Sequence, residues 1–331
     1  MMKYTRRNML IRTGASLAMF NANLGLQAQE VPNAEGKLVY GFAAGSVASL
    51  MGDMLLDHLR QDHVANFKMN YMPGNGSRLA HEFVKNASPD GNTLVLASST
   101  SLTLFPYIYG KRLNYEVKDF TPIAPLYSFT RMLIVGTSVP TSVKTLDDYM
   151  KWVIANPTQS HIGVSAIGSG SHFAAMLLAQ SRDTVLRAVT YRGTGGALKD
   201  LVSGDLPAAI ILADQNTKYL ETGQVRVLAV TSAGRWPTWP DVPTMKEQGV
   251  SDCAISEWHS ILAPAGMDPN KVQTLNLAIR RALRQDDMVT AARRIGVSLV
   301  DMDTAQFSNL IAADQDQWHR ATRLTRFHGL E

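Results

Sequence analysis

From residue 37 onward, short apolar runs of strand length take turns with segments of helical periodicity, and this alternation restricts the chain more than any other feature. The runs are KLVYGFAAG (37–45), FKMNYM (67–72), TLVLASS (93–99), RMLIVGTS (131–138), HIGVSA (161–166), LRAVTY (186–191), PAAIIL (207–212), VRVLAVTS (225–232) and SILAPAG (260–266). Between them, SLMGDMLLDHLR (49–60) carries Leu50, Met51, Met54, Leu55 and Leu59 on one helical face. RLAHEFVKNA (78–87) is a second helix, and Thr145 with Asp148 has the spacing of a capping box at the head of a third. Asp268-Pro269 opens another, with proline at the first helical position, and Val272, Leu275, Ile279 and Leu283 form its buried stripe. Two more helices, near 286–295 and 304–324, finish the chain. Strand–helix alternation of this kind predicts an α/β fold with largely parallel sheets.

About ten strands over about 300 residues suit two small sheets better than one, because a single core stops growing at that size. No low-complexity linker separates two halves. The chain is therefore expected to cross between lobes more than once, at about 127–138 and 256–262. Lobe 2 then becomes an insertion, with the C-terminal helices returning to lobe 1. The expected boundaries are 29–130 plus 260–331 for lobe 1 and 131–259 for lobe 2.

The first 28 residues read differently. Lys3, Arg6, Arg7 and Arg12 precede an uncharged stretch ending at the small residue Ala28, the pattern of a secretory signal peptide. The Arg6-Arg7 pair resembles a twin-arginine signal, although Met9 stands where phenylalanine is usual; an ordinary leader that holds two arginines is the alternative. Export to the periplasm, with the leader removed, is expected by either route. Without that segment the 32 basic residues fall to 28, against 28 acidic ones, so the formal charge of +4 belongs to the leader. A neutral mature chain gives no reason to expect a nucleic-acid partner. No later stretch reaches about 18 uninterrupted apolar residues, the length a membrane-spanning helix needs.

The single cysteine, Cys253, excludes an internal disulfide and a cysteine-based metal site. No histidine set has metal-ligand spacing, and no metal or cofactor is expected. GVSAI lacks the last glycine of a nucleophile elbow. GSGSHF lacks the Lys-Ser/Thr ending of a P-loop, and RGTGGA has the wrong glycine spacing for a dinucleotide fingerprint. Ser171 beside His172 leaves a small exported hydrolase as a minor reading. In GRWPTWPDVPTMKEQG (234–249), the prolines brace an extended loop, and Trp236 and Trp239 are expected to cover a core edge rather than line a pocket.

Four loops rich in Gly, Ser and Thr follow strands: FAAGSVASLMG (42–52), SSTSLT (98–103), SAIGSGSHF (165–173) and TYRGTGGALKDLVSG (190–204). In open α/β sheets, ligands lie beyond the carboxyl ends of the strands, where such loops feed helix N-termini. Unpaired backbone N–H groups and the helix dipole favour an anion there, and hydroxyls add adaptable donors. For any one loop, helix capping by Ser169 or Ser171 and turn formation by Gly168 and Gly170 are the better account of the composition; the four loops in combination point to a cleft.

Six segments in order carry a family resemblance: MPGNGSRLAHEFVKNASPDGNTLVLAS, SAIGSGSHFAA, VTYRGTGGALKDLVSGDL, VRVLAVTSAGR, WPDVPTMKEQG and ILAPAGMDPNKV. Over roughly 37–325 the chain resembles the Bug, or tripartite tricarboxylate transporter, substrate-binding proteins. The resemblance implies a two-lobed periplasmic binding protein of type II, a Venus flytrap in which each lobe is a mixed sheet flanked by helices. It implies a monomer that captures a small organic carboxylate between the lobes and delivers it to the membrane permease subunits of such a transporter, without catalysis. A sensor that presents its ligand to a receptor kinase is the alternative.

Carried over position by position, the resemblance places the ligand against Ala44, Gly45, Ser46, Val47 and Ser49, against Ser98, Ser99 and Thr100, and against Ser165, Ser169, Gly170 and Ser171. Thr190, Tyr191, Arg192 and Gly193 flank it, and Asp214 lies nearby. His172 either bonds the ligand or braces its loop. The family's first loop is similar to Gly-Gly-Gly-Thr-Asp, whereas this chain has Gly45-Ser46-Val47-Ala48-Ser49; Ile210 and Ile211 stand where a Phe-Asp pair is usual. Loss of two acidic positions makes the pocket more apolar and leans towards an aromatic or aliphatic monocarboxylate.

Overall fold

The computed structural model describes residues 35–213, 218–327 and 329. The expected signal peptide and Asp214 lie outside the described residues.

The elements run β1 (Gly36–Tyr40), α1 (Val47–Gln61), β2 (Phe67–Tyr71), α2 (Arg78–Lys85), β3 (Thr93–Ser98), α3 (Phe105–Tyr109), β4 (Phe120–Phe129) and β5 (Arg131–Val135). They continue with α4 (Leu146–Ala155), β6 (His161–Val164), α5 (Gly170–Ser181), β7 (Arg187–Thr190), α6 (Thr194–Ser203), β8 (Ala208–Leu212), α7 (Lys218–Glu221) and β9 (Arg226–Val230). The last are β10 (Glu257–Pro264), α8 (Pro269–Leu283), α9 (Asp286–Ile295), β11 (Ser298–Leu299) and α10 (Thr304–Leu324). Local chemistry sets the helix starts. Thr145 Oγ1 accepts from the Asp148 N–H while the Asp148 carboxylate accepts from the Thr145 N–H, closing the expected box. Asp268 caps α8, whose first residue is Pro269.

Two sheets result. One is six-stranded, in the order β11-β4-β10-β3-β1-β2, and the other five-stranded, in the order β7-β6-β8-β5-β9. The expectation of largely parallel sheets is corrected: both are mixed. In the first, β1 runs parallel to β2 and β3, but β10 is antiparallel to both β3 and β4. In the second, β6 is parallel to β7 and β8, while β5 is antiparallel to β8 and β9. The antiparallel members are the segments by which the chain passes from one sheet to the other and back.

Strand β4 has no counterpart in the sequence reading, which took residues from 127 onward as a crossing. Its pattern is masked by Pro122 and Pro125, which cannot donate to a ladder. The sheet accommodates them by slipping register: Ser260 of β10 faces Pro125 after a shift from the His259–Tyr127 pair, and Leu262 faces Pro122 after a second.

Each sheet has its own core. Leu38, Met51, Leu55, Leu96, Ile123 and Ile261 belong to the first, and Leu133, Tyr149, Ile162, Phe173 and Ile210 to the second. Helix α10 serves both. Its early residues Phe307 and Ile311 pack with Val95, Trp258 and Leu262, whereas Trp318 and Ala321, two turns later, join the core of the five-stranded sheet. The Trp318 and Phe173 rings stand 5.5 Å apart, edge to face. Trp236 is buried, as expected of a covering residue, and its indole N–H reaches the carbonyl of Gly296 at the end of α9.

Candidate ligand-binding site

At the carboxyl ends of β6 and β8 lies a cavity of 130 Å³, bordered by Arg131, Gly163, Val164, Ser165, Tyr191, Gly193, Thr194, Ala197, Ile210, Ile211 and Leu212. Three expected ligand residues, Ser165, Tyr191 and Gly193, therefore meet in one hollow, together with the two isoleucines expected to make it apolar. Gly193 takes φ of +91° with open space on its β-carbon side, which lets the chain turn into α6 without a side chain filling the mouth. Tyr191 Oη donates to Asp200 Oδ2 at 2.7 Å. Burial and this carboxylate push the phenol up to about 12, so it stays protonated.

The loop after β6 satisfies its own hydroxyls. Ser171 Oγ accepts from the Ser165 N–H at 3.0 Å and lies 3.0 Å from Ser165 Oγ and 2.9 Å from Ser169 Oγ. Ser169 caps α5 through the His172 N–H and donates to the Ala166 carbonyl. His172 braces its loop through one nitrogen, Nδ1, which accepts from the Gly168 N–H at 3.2 Å. Burial lowers its pKa, favouring the neutral ring. Ser171 and His172 share no side-chain hydrogen bond, so the geometry of a nucleophile and its base is absent from this pair.

Thr190 and Arg192 are exposed, and Arg192 does not border the cavity. Ala44, Gly45, Ser46, Val47 and Ser49 line a different hollow of 400 Å³ on the six-stranded side, together with Leu50, Asp53, Tyr71 and Ile295. There Ser46 caps α1, accepting from the Ser49 N–H, and is held by the Tyr40 hydroxyl at 3.0 Å. Ser98 bonds Ser101, and Ser99 Oγ accepts from the Trp258 N–H.

Thr100 leads to the groups that the sequence reading missed. Its hydroxyl donates to Glu257 Oε1 at 3.0 Å, and Glu257 Oε2 is paired with the Nε of Arg131. Glu257 opens β10 and Arg131 opens β5, so the pair joins the two sheets where the chain crosses between them. Burial pushes the Glu257 carboxyl up, but Arg131, Thr100 and the neighbouring His259 outweigh it and hold the group below its ordinary value. His259 is half-buried, its ring is pushed down to about 4 by desolvation despite the pull of Glu257, and it stacks on Tyr127. A charged residue heading a predicted strand was the only sequence signal for Arg131; nothing local marks Glu257 as its partner.

A mixed five-stranded and a mixed six-stranded sheet, each with its own core and linked at two crossings, define a two-lobed binding protein of type II. The periplasmic binding protein BugD has the same fold (23% identity, TM-score 0.72, covering 90% of this chain and 100% of that one). The model of the tripartite tricarboxylate transporter family receptor matches residues 48–329, and the chain belongs to that family. Among curated relatives, protein BugT of Bordetella pertussis is 26% identical over 325 residues, 96% of this chain and 98% of that protein. The UPF0065 protein in the tcbD-tcbE intergenic region of Pseudomonas sp. strain P51 is 25% identical over 281 residues, 85% and 82% of the two chains. Two solved structures are each 25% identical: R. palustris Rpa4515 with adipate (TM-score 0.75, covering 90% of this chain and 99% of that one) and MatC of Rhodopseudomonas palustris with bound malate (TM-score 0.72, covering 88% and 99%).

Proposed function

We propose that the mature chain is a periplasmic receptor that captures a small organic carboxylate between its lobes and hands it to the permease of a tripartite tricarboxylate-type transporter. The observation that carries this reading is the hollow at the strand ends of the five-stranded sheet, which brings Arg131 together with the apolar side chains of Ala197 and Ile211. Ligands of open α/β sheets bind at such strand ends. Membership of the receptor family supports the same reading, as do the adipate and malate named for two structural relatives. Binding without transformation accounts for the Ser171 and His172 side chains being spent on their own loop.

The hollow also supports an acid with an apolar body. Its volume of 130 Å³ is close to the roughly 150 Å³ of an apolar cavity that admits benzene. Titration of the purified mature chain with hexanoate, benzoate, adipate, malate and citrate, read by calorimetry and thermal shift, tests both parts. Binding of hexanoate or benzoate supports the apolar carboxylate. Binding of malate or citrate alone keeps the receptor and removes the apolar preference. No binding of any of the five acids removes the receptor reading.

A further inference from the structure

We infer that Arg131, held in place by Glu257, is the ligand anchor: its guanidinium takes the carboxylate of a monoanionic acid whose apolar body lies against Ile211 and Ala197. The inference rests on the receptor reading and adds to it the residue that sets ligand class.

A guanidinium carries five N–H donors in a rigid fork. Glu257 takes the Nε side of Arg131, and among the described residues Nη1 and Nη2 have no hydrogen-bond partner. The side chain is only 13% exposed, and it borders the cavity. Donors in that position face the hollow rather than bulk water, where an arriving carboxylate can take both at once.

Glu257 is unable to swing away from Arg131. Thr100 holds one oxygen, and the backbone of Gly170 stands against the other. On a further side, the Phe129 ring lies 5.8 Å from the guanidinium carbon. The cation is therefore oriented before any ligand arrives, which lowers the entropic cost of binding.

The same pair limits what binds. Glu257 offsets the charge of Arg131, so the hollow carries no surplus cation for a second carboxylate on the same ligand. Glu257 is only 7% exposed and does not border the cavity, which leaves an α-ammonium group no carboxylate within the hollow to bond. Hexanoate is thus favoured over 2-aminohexanoate (norleucine), because the amine would be desolvated without a partner.

The test compares wild type, Arg131→Gln/Glu257→Gln and Glu257→Gln by calorimetry with hexanoate, benzoate, adipate and norleucine. The double variant removes both charges together and leaves no buried ion unpaired; its thermal midpoint is read alongside. Every acid that binds wild type is expected to bind the double variant about 10- to 100-fold more weakly, the range for loss of hydrogen bonds to a charged group. Glu257→Gln keeps the cation without the carboxylate that holds it, and is expected to weaken the same acids by less than the double variant does. Equal affinity of wild type and the double variant overturns the anchor and leaves the receptor reading standing. Unchanged affinity in Glu257→Gln overturns the part of the proposal in which Glu257 holds the anchor. Preference for norleucine over hexanoate overturns the ligand class, and no binding of any of these acids by wild type overturns the anchor, while the receptor reading then stands or falls with malate and citrate.

Discussion

The carboxylate of Glu257 lies so close to the first residue of α5 that a β-carbon on Gly170 would stand 2.9 Å from Oε2. Glu257 is clamped by Arg131 and Thr100 and cannot yield freely. Gly170→Ala is therefore expected to lower stability by about 1–3 kcal/mol, the usual cost of overpacking. Urea unfolding of the variant and wild type measures this; an unchanged midpoint would mean that the carboxylate shifts without cost.

Cutting Glu257 back to alanine leaves Arg131 buried without its partner. The expected loss is about 3–5 kcal/mol, the cost of breaking a buried pair from one side. Arg131→Gln/Glu257→Gln should lose much less, since no charge is left over. Chemical denaturation of wild type, Glu257→Ala, Glu257→Gln, Arg131→Gln and the double variant reads the difference.

Asp314 on α10 is buried, and burial pushes its carboxyl up to about 7, against the opposing hydrogen bond from Thr103 and with the help of the Glu257 charge. The folded chain thus keeps a proton that the unfolded chain releases near 3.8. This contribution is complete below that value and declines as pH rises towards 7, by up to about 1.4 kcal/mol per pH unit. Asp314→Asn keeps an amide in the same place but has no proton to lose. Relative to wild type, it should gain stability between pH 4 and 7 and then level off, as seen in denaturation midpoints across that range.

His81 has the opposite sign. It is buried, donates from Nδ1 to the Ser77 carbonyl at 2.9 Å, and is pushed down to about 4 by burial. The unfolded chain takes up a proton near 6.5 that the folded chain refuses. Stability from His81 is complete above that value and falls as pH drops towards 4. The advantage of wild type over His81→Gln should shrink over this window; a constant difference would refute the buried neutral ring.

A serine-directed fluorophosphonate separates a receptor from a hydrolase. Ser171 is buried and bonded to Ser165 and Ser169, and its hydroxyl shares no hydrogen bond with the His172 ring. No adduct on Ser171 is expected by peptide mass mapping, and stoichiometric labelling would revive the enzyme reading.

Local chemistry was legible in the chain. The Thr145–Asp148 box, the Asp268-Pro269 start and the periodic stripes of α1 and α8 depend on residues within a few positions of one another, so their pattern is printed in the sequence. The Gly- and Ser-rich loops were legible as strand-to-helix junctions for the same reason. Strand β4 was not, because its prolines imitate a crossing and only the slipped ladder with β10 makes it a strand.

Sequence alone determined most of the elements, the expectation of two sheets and the family to which the loops belong, since each follows from periodicity or from short motifs. Only the tertiary structure decided that Arg131 meets Glu257, 126 residues further along, and that Ser171 is spent on its own loop. A buried ion pair is selected by the burial and geometry of both partners at once, and neither quantity exists until the sheets have packed.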